Sequence, residues 1–168
     1  MKTLYLVRHA KSSWKDMTLA DRNRPLNKRG KRDAPFMGKL MYEHGIFPEV
    51  LISSPALRAL TTAKAFAKAL NYPSERLLLN EQLYEASVYD LLEIVQQLED
   101  NWQSVMLFGH NMTYTMFANW YANPPLDNVP TGAVVALQFD VEQWSSIRSN
   151  NGQLQFFEYP RKYFPKQH

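Results

Sequence analysis

The chain has 168 residues, 45% of them hydrophobic and 21% charged, a composition typical of a globular protein with enough residues for one sizeable core. It contains no cysteine, so disulfides, thiolate catalysis and cysteine-based zinc sites are excluded. The formal net charge of +3 fits an ordinary surface bias, attraction of small anionic substrates, or nucleic-acid binding. Because aromatic residues do not interleave with basic ones in a recognisable pattern, we expect no nucleic-acid partner.

The apolar segments of the chain are short. No stretch approaches the roughly 20 apolar residues that a membrane helix needs. The first apolar run, Leu4 to Val7, ends at Arg8 and is too short for the core of a signal peptide. No repeat, low-complexity tract or flexible linker divides the chain. We therefore expect a cytoplasmic protein with a single domain over residues 1–168, no membrane partner, and a monomeric or weakly dimeric state.

The first half of the chain alternates short apolar runs with helical patterns. Two runs have the composition of buried strands, Thr3 to Val7 and Glu49 to Ser53. A helical pattern extends from about Lys28 to His44, within which Pro35 predicts a kink or a later start. The following helix has the clearest pattern, with Ser54 as its predicted N-cap and Pro55 at the first helical position.

The second half continues this alternation. Four further strands are predicted, at Arg76 to Leu79, Ser104 to Phe108, Ala133 to Phe139 and Gln153 to Tyr159. One helix is predicted from Val88 to Leu98, and another runs to about Tyr121 with Asn111 as its cap. Because strands alternate with helices, we expect an α/β fold with a mostly parallel sheet covered by helices on both faces.

Cationic residues follow three of the predicted strands. Arg8 and His9 come directly after the first strand. Arg58 lies in the first turn of the helix after the second strand, and His110 follows the fourth. Ligands gather at the carboxyl ends of parallel strands, so these side chains predict one convergent pocket. A cation at a helix N-terminus opposes the macrodipole, and Arg58 makes better sense there if an anion binds beside it.

Each of these residues also has a simpler interpretation. A single histidine after a strand is usually a polar cap or a hydrogen-bonded buried imidazole, and Arg58 alone would be an ordinary surface residue. Two histidines also suggest zinc, but zinc would need a third ligand, and the neighbouring arginines would repel a dication. Taken together, the four side chains favour an anion site over a metal site.

A recognisable signature surrounds these residues. Segment 6–10, LVRHA, resembles the signature of the histidine phosphatase superfamily, which includes the phosphoglycerate mutases. The similarity is greater to the SixA-like phosphohistidine phosphatases. It extends, in the right order, through RHAKS at 8–12, residues 21–26 ending in RPL, RG at 29–30, SSP at 53–55, RA at 58–59, TA at 62–63 and GHN at 109–111.

The resemblance implies a three-layer α/β/α sandwich of the phosphoglycerate mutase type, and a phosphatase that works without a metal or cofactor. It implies that His9 is the nucleophile that becomes phosphorylated. Arg8, Arg58 and His110 would bind the phosphoryl oxygens. Arginine suits this role because its planar fork donates paired hydrogen bonds and stays charged. The same cations would lower the pKa of His9 and keep it neutral for attack.

The remaining site residues match the family less closely. Glu85 corresponds to the general acid that follows the second arginine, Glu81 is a second candidate, and a solvent-facing Glu85 is the simpler alternative. In the loop after the first strand, Lys11, Ser12 and Arg24 are candidates to contact the substrate beyond its phosphate. The alternative for these three residues is a solvated loop without a binding role.

The resemblance also implies the class of substrate. We expect either a phosphorylated protein, such as a histidine-containing phosphotransfer domain, or a small phosphate ester. A general small-molecule phosphomonoesterase is therefore the main alternative function, and a mutase is a weaker one. A non-catalytic phosphate-binding protein is less favoured because both Arg8 and His9 are present.

Overall fold

The computed structural model describes residues 1–165 and contains one six-stranded sheet. The strands are β1 Lys2–Arg8, β2 Val50–Ser53, β3 Leu78–Leu79, β4 Ser104–Gly109, β5 Val134–Phe139 and β6 Gly152–Glu158. They lie in the order β3-β2-β4-β1-β5-β6. The first four in this order pair in parallel, whereas β5 is antiparallel to β1, and β6 to β5. The predicted mostly parallel sheet is confirmed, with an antiparallel hairpin at one edge.

Helices cover both faces of the sheet. They are α1 Lys28–Glu43, α2 Leu57–Ala69, α3 Val88–Gln96 and α4 Thr113–Asn119. On one face Met37 of α1 and Phe66 of α2 pack with Phe108 of β4. On the other face Leu91 of α3 and Phe117 of α4 join a second buried cluster. Because the inner strands are buried on both sides, they are continuous apolar runs rather than alternating ones. The predicted three-layer sandwich is confirmed.

The helix boundaries differ from prediction in places. Helix α1 continues through Pro35 without a later start. The predicted N-cap role of Ser54 is wrong, because α2 begins at Leu57 and its N-cap residue is Ala56. The third strand is shorter than predicted, since residues 74–76 form a 3-10 turn instead. Within residues 1–165, no helix combines the length and apolar character needed to cross a bilayer.

Candidate active site

The carboxyl ends of β1 and β4 bring three of the predicted residues together. The two strands are neighbours, and Arg8 lies in register with Gly109. His9 and His110 therefore follow at the same level, and the backbone N–H of His9 donates to the Gly109 carbonyl at 3.0 Å. The two imidazole ring centroids are 5.3 Å apart. We refer to Arg8, His9 and His110 as the floor of the site.

The imidazole of His9 is held in one tautomer. Its Nδ1 lies 2.7 Å from the carbonyl oxygen of Ala10. Since a carbonyl oxygen can only accept, Nδ1 carries the proton and the lone pair is on Nε2. The pKa of His9 falls to about 3, mainly because of burial and additionally because of the charges of His110, Arg58 and Arg8, against an opposing effect of the Ala10 bond. His9 is therefore neutral at neutral pH.

The guanidinium of Arg8 is only partly satisfied by the protein. Its Nη1 donates to the carbonyl oxygen of Val129 at 3.0 Å. Its Nε is buried and finds no acceptor among residues 1–165. An unpaired buried donor costs about 1–3 kcal/mol, and more for a charged group. Such a donor is expected where an anion completes the hydrogen bonding.

His110 is positioned by two contacts that the sequence did not indicate. Its Nε2 lies 2.7 Å from the hydroxyl of Ser54, and that hydroxyl accepts from the backbone N–H of Ala56. The ring of Tyr84 packs edge-on against the imidazole, with centroids 5.6 Å apart. Burial is the main reason that the pKa of His110 falls to about 4, and the charge of Arg58 adds to it.

Arg58 approaches from the first turn of α2 and is bound to a carboxylate. Its Nη1 donates to the backbone carbonyl of Asp21 at 2.7 Å, and its Nη2 to the Asp21 Oδ2 at 2.9 Å. The hydroxyl of Tyr84 donates to the same Oδ2 at 2.5 Å. We refer to Arg58, Asp21 and Tyr84 as the wall of the site, which stands beside the floor because Tyr84 also contacts His110.

One buried hydroxyl connects the floor to the helix that carries Arg58. Thr62 Oγ1 accepts from the backbone N–H of Ala10 at 3.0 Å and donates to the carbonyl of Arg58 at 2.7 Å. Thr62 is completely buried. The segment after His9 is therefore held directly against the first turns of α2.

Asp21 and Tyr84 were not predicted as site residues. Both lie at short 3-10 turns between the larger elements, where periodicity gives no indication of facing side chains. The hydrogen bond from Tyr84, and next those from Arg58 and Arg24, hold the pKa of Asp21 well below its usual range. Asp21 is thus an anion within a cationic site. The only signal in the sequence was its place at the start of the segment that ends in RPL.

The three predicted rim residues differ in burial and in hydrogen bonding. Arg24 is buried, with Nη2 donating to the Ser12 hydroxyl at 2.5 Å, Nη1 to Asp21 at 3.1 Å and its guanidinium stacked on Trp14. Ser12 is buried as well. Their polar atoms hold the loop together, so the geometry does not favour substrate contacts from Ser12 or Arg24. Lys11 is half-buried, and its contact with the substrate stays a prediction.

Glu85 is exposed at the edge of the site. Its backbone adopts a left-handed conformation with φ of 60°. It directly follows Tyr84, whose ring packs on His110. Its assignment as the acid stays a prediction. The other candidate, Glu81, forms an exposed ion pair with Arg22 at 2.9 Å.

Across the part of the chain that the structure describes, no three His, Asp or Glu side chains lie close enough to hold a metal ion. The positive groups in the site are instead the guanidinium groups of Arg8 and Arg58.

The chain is similar in sequence to proteins of Mycobacterium tuberculosis and Arabidopsis thaliana. An uncharacterized protein of Mycobacterium tuberculosis is 26% identical over 92% of this chain and 100% of its own length. An uncharacterized chloroplastic protein of Arabidopsis thaliana is 41% identical over 64 residues, which cover 38% of this chain and only 29% of that protein.

Solved structures extend this similarity to the fold. An Agrobacterium tumefaciens protein assigned as the phosphohistidine phosphatase SixA is 26% identical, with a TM-score of 0.79 over 95% of this chain and 98% of its own. A SixA protein histidine phosphatase complexed with tungstate gives a TM-score of 0.79 at 21% identity, over 96% and 99% of the two chains. A mycobacterial glucosyl-3-phosphoglycerate phosphatase gives 0.68 at 14% identity, over 95% and 100%. The last two comparisons establish the fold alone.

The family model of the histidine phosphatase superfamily, branch 1, matches residues 4–91, just over half of the chain. This match and the similarity to SixA support a phosphatase, that is, a hydrolase of phosphate compounds. The matched segment contains Arg8, His9, Asp21, Arg58 and Glu85. The chain therefore belongs to the histidine phosphatase superfamily.

Proposed function

We propose that the protein hydrolyses phosphohistidine in other proteins, with the phosphoryl group carried transiently on His9. The observation that carries this proposal is the state of the His9 imidazole. Its Nδ1 is 2.7 Å from the Ala10 carbonyl, which leaves Nε2 as the nucleophilic nitrogen. With a pKa of about 3, the ring keeps its lone pair throughout the neutral range.

The first step transfers the phosphoryl group to His9. Nε2 attacks the phosphorus, and the Nε2–P bond forms as the bond from phosphorus to the nitrogen of the substrate imidazole breaks. The substrate ring keeps the electron pair of the broken bond and leaves as neutral imidazole, since its other nitrogen carries a proton. The transition state spreads negative charge over three oxygens, and stabilising that charge is the main task of the site. Arg8, Arg58 and His110 are proposed to bind these oxygens. The unpaired buried Nε of Arg8 supports its part in this role.

The second step returns His9 to its starting state. A water molecule attacks the phosphorus, the Nε2–P bond breaks, and inorganic phosphate leaves with the original imidazole restored. Both steps use the protein's own cations in place of a metal ion. Metal independence is accordingly part of this proposal, and activity should persist after treatment with a chelator.

A small-ester phosphomonoesterase is the second candidate, and Glu85 is the residue that favours it. A non-glycine residue in the left-handed region costs about 1–2 kcal/mol, and such strain is concentrated at functional sites. An alkoxide leaving group needs a proton, which a carboxylic acid at this position would supply. A substrate imidazole leaves more readily and depends less on that acid.

A substrate panel tests both candidates. Phosphate release would be measured with a phosphohistidine-containing protein and with a set of sugar and alkyl phosphates. We expect a kcat/KM at least tenfold higher for the phosphoprotein. A preference for one of the esters would contradict the phosphohistidine assignment while leaving the phosphatase assignment intact.

Glu85→Gln separates the two leaving groups. This variant should slow ester hydrolysis by about 10²-fold, in the usual range for a general acid, and phosphohistidine hydrolysis by only a few-fold. Glu81→Gln is the matched control because Glu81 lies nearby but pairs with Arg22. An equal loss on both substrates in Glu85→Gln would show that Glu85 does not act as this acid.

A further inference from the structure

Asp21 joins the separate parts of the site wall. Arg58 donates to it twice, at 2.7 Å to the backbone carbonyl and at 2.9 Å to the carboxylate. The Tyr84 hydroxyl donates to the same carboxylate oxygen, and Arg24 to the other at 3.1 Å. One residue therefore binds both terminal nitrogens of the Arg58 guanidinium and, through Tyr84, is linked to the ring beside His110.

The gain in stability from this ion pair is small. The side chain of Asp21 is 48% exposed, whereas that of Arg58 is 9% exposed. A pair with one partner in solvent contributes about 0–1 kcal/mol, since water screens the attraction. The two bonds matter more for the orientation of the Arg58 guanidinium than for the stability of the fold. Two bonds to one rigid partner fix both the plane and the rotation of a side chain that otherwise has many rotamers.

The charge of Asp21 has the opposite sign to the groups around it. The carboxylate stays ionised because Tyr84, Arg58 and Arg24 all donate to it. An anion beside a phosphate site repels the bound phosphate and offsets part of the positive charge of Arg58. A residue placed there for affinity alone would not be acidic.

We infer that Asp21 is a positioning residue for catalysis, which orients the Arg58 guanidinium toward the phosphoryl oxygens at the expense of ground-state phosphate affinity. This role rests on the proposed function for the identity of the bound group. If Asp21 has this role, its replacement should change turnover and phosphate affinity by different amounts. Turnover depends on the orientation of Arg58, whereas phosphate affinity depends mainly on net positive charge.

The test combines Asp21→Asn with Arg58→Ala. The kcat would be measured on whichever phosphate compound the wild type hydrolyses, and the Kd of inorganic phosphate by calorimetry. For Asp21→Asn we expect kcat to fall by about 10–100-fold, the usual result of misplacing a catalytic group. The Kd of phosphate should stay unchanged or become lower. In the Arg58→Ala background, Asp21→Asn should lower kcat by no more than about threefold.

Two further variants separate the effect of charge from the effect of the hydrogen bonds to Asp21. Asp16→Asn makes the same charge change on the same loop, where Asp16 is hydrogen-bonded to Thr18, and it should leave kcat within about twofold of the wild type. Tyr84→Phe removes only the Tyr84 donation to Asp21. It should lower kcat by a few-fold, again without weakening phosphate binding.

Two results would overturn the inference. One is a parallel loss of kcat and phosphate affinity in Asp21→Asn, which would indicate a general collapse of the site. The other is an undiminished loss in the Arg58→Ala background, which would show that Asp21 does not act through Arg58. If the wild type hydrolyses no phosphate compound, the proposed function fails. The phosphate Kd values still decide the inference in that case, because weaker binding in Asp21→Asn or in Tyr84→Phe would contradict it.

Discussion

The floor and the wall of the site reach their positions by different means. Arg8, His9 and His110 are placed by backbone pairing, because they end or follow two adjacent parallel strands in register. Arg58 is placed by side-chain bonds to Asp21, a residue 37 positions away in a 3-10 turn between β1 and α1. The side chain proposed as the nucleophile is therefore positioned by the sheet, whereas the orientation of Arg58 depends on a few long-range polar contacts.

Removal of the proposed nucleophile should have the largest effect and tests the floor. His9→Ala should lower phosphate release by roughly 10⁴-fold or more, in line with the loss of a covalent nucleophile in other enzymes. Steady-state phosphate release is the measurement, with circular dichroism to confirm folding. Activity within tenfold of the wild type would rule out His9 as the phosphorylated residue.

Gly30→Ala tests how far the floor depends on the close packing of α1 against the segment that follows His9. A Cβ at Gly30 would overlap the backbone oxygen of Lys11, in the segment that follows His9. We expect a loss of about 1–3 kcal/mol in the free energy of unfolding, as for other overpacked sites, together with a roughly tenfold lower kcat. Urea unfolding and phosphate release are the measurements.

Gly45→Ala is the matched control for this substitution. Gly45 has φ of +72° and no atom near the position of a Cβ. Its replacement should cost about 1–2 kcal/mol through backbone strain alone and leave kcat unchanged. If both variants left kcat unchanged, the close approach at Gly30 would have no role in shaping the site.

Thr62→Val tests the connection between floor and wall. The substitution keeps the shape but leaves the Ala10 N–H without its acceptor, 3.0 Å away in the wild type. A buried unsatisfied donor should cost about 1–3 kcal/mol. We expect kcat to fall by a few-fold, and Thr61→Val, next to it on α2, to change neither quantity. Equal unfolding midpoints for the two variants would show that this connection is dispensable.

The pH dependence of stability sharpens the description of the floor. In the folded state the pKa of His9 is about 3 and that of His110 about 4, against 6.5 when exposed. Between these values the unfolded chain binds protons that the folded protein does not, so stability should fall as pH drops from about 6.5 to about 4. At pH 7 and above, these two residues should contribute no slope.

Thermal unfolding at several pH values provides the measurement. The Tm should decline by roughly ten degrees or more over this range in the wild type and by less in His110→Asn. A Tm that is constant from pH 7 to pH 4 would mean that the two imidazoles are not buried in the neutral form.

The floor could be predicted from the sequence more fully than the wall, because strand pairing follows from local patterns and long-range side-chain bonds do not. The alternation of strands and helices predicted the sandwich, and strand ends brought His9 and His110 to one place. Ser54 was assigned to a helix cap because its position before Pro55 fits that pattern, yet its hydroxyl contacts His110. The bond between Tyr84 and Asp21 joins residues 63 positions apart in segments without periodicity, and no local pattern encodes it.

The most direct test of the account is to trap the phosphorylated protein. Rapid quenching at alkaline pH during turnover, followed by peptide mass spectrometry, should find an acid-labile phosphoryl group on His9. Its amount should approach one per molecule if water attack is slow. A phosphoryl group on His110, or none on any residue during measurable turnover, would contradict a covalent mechanism through His9.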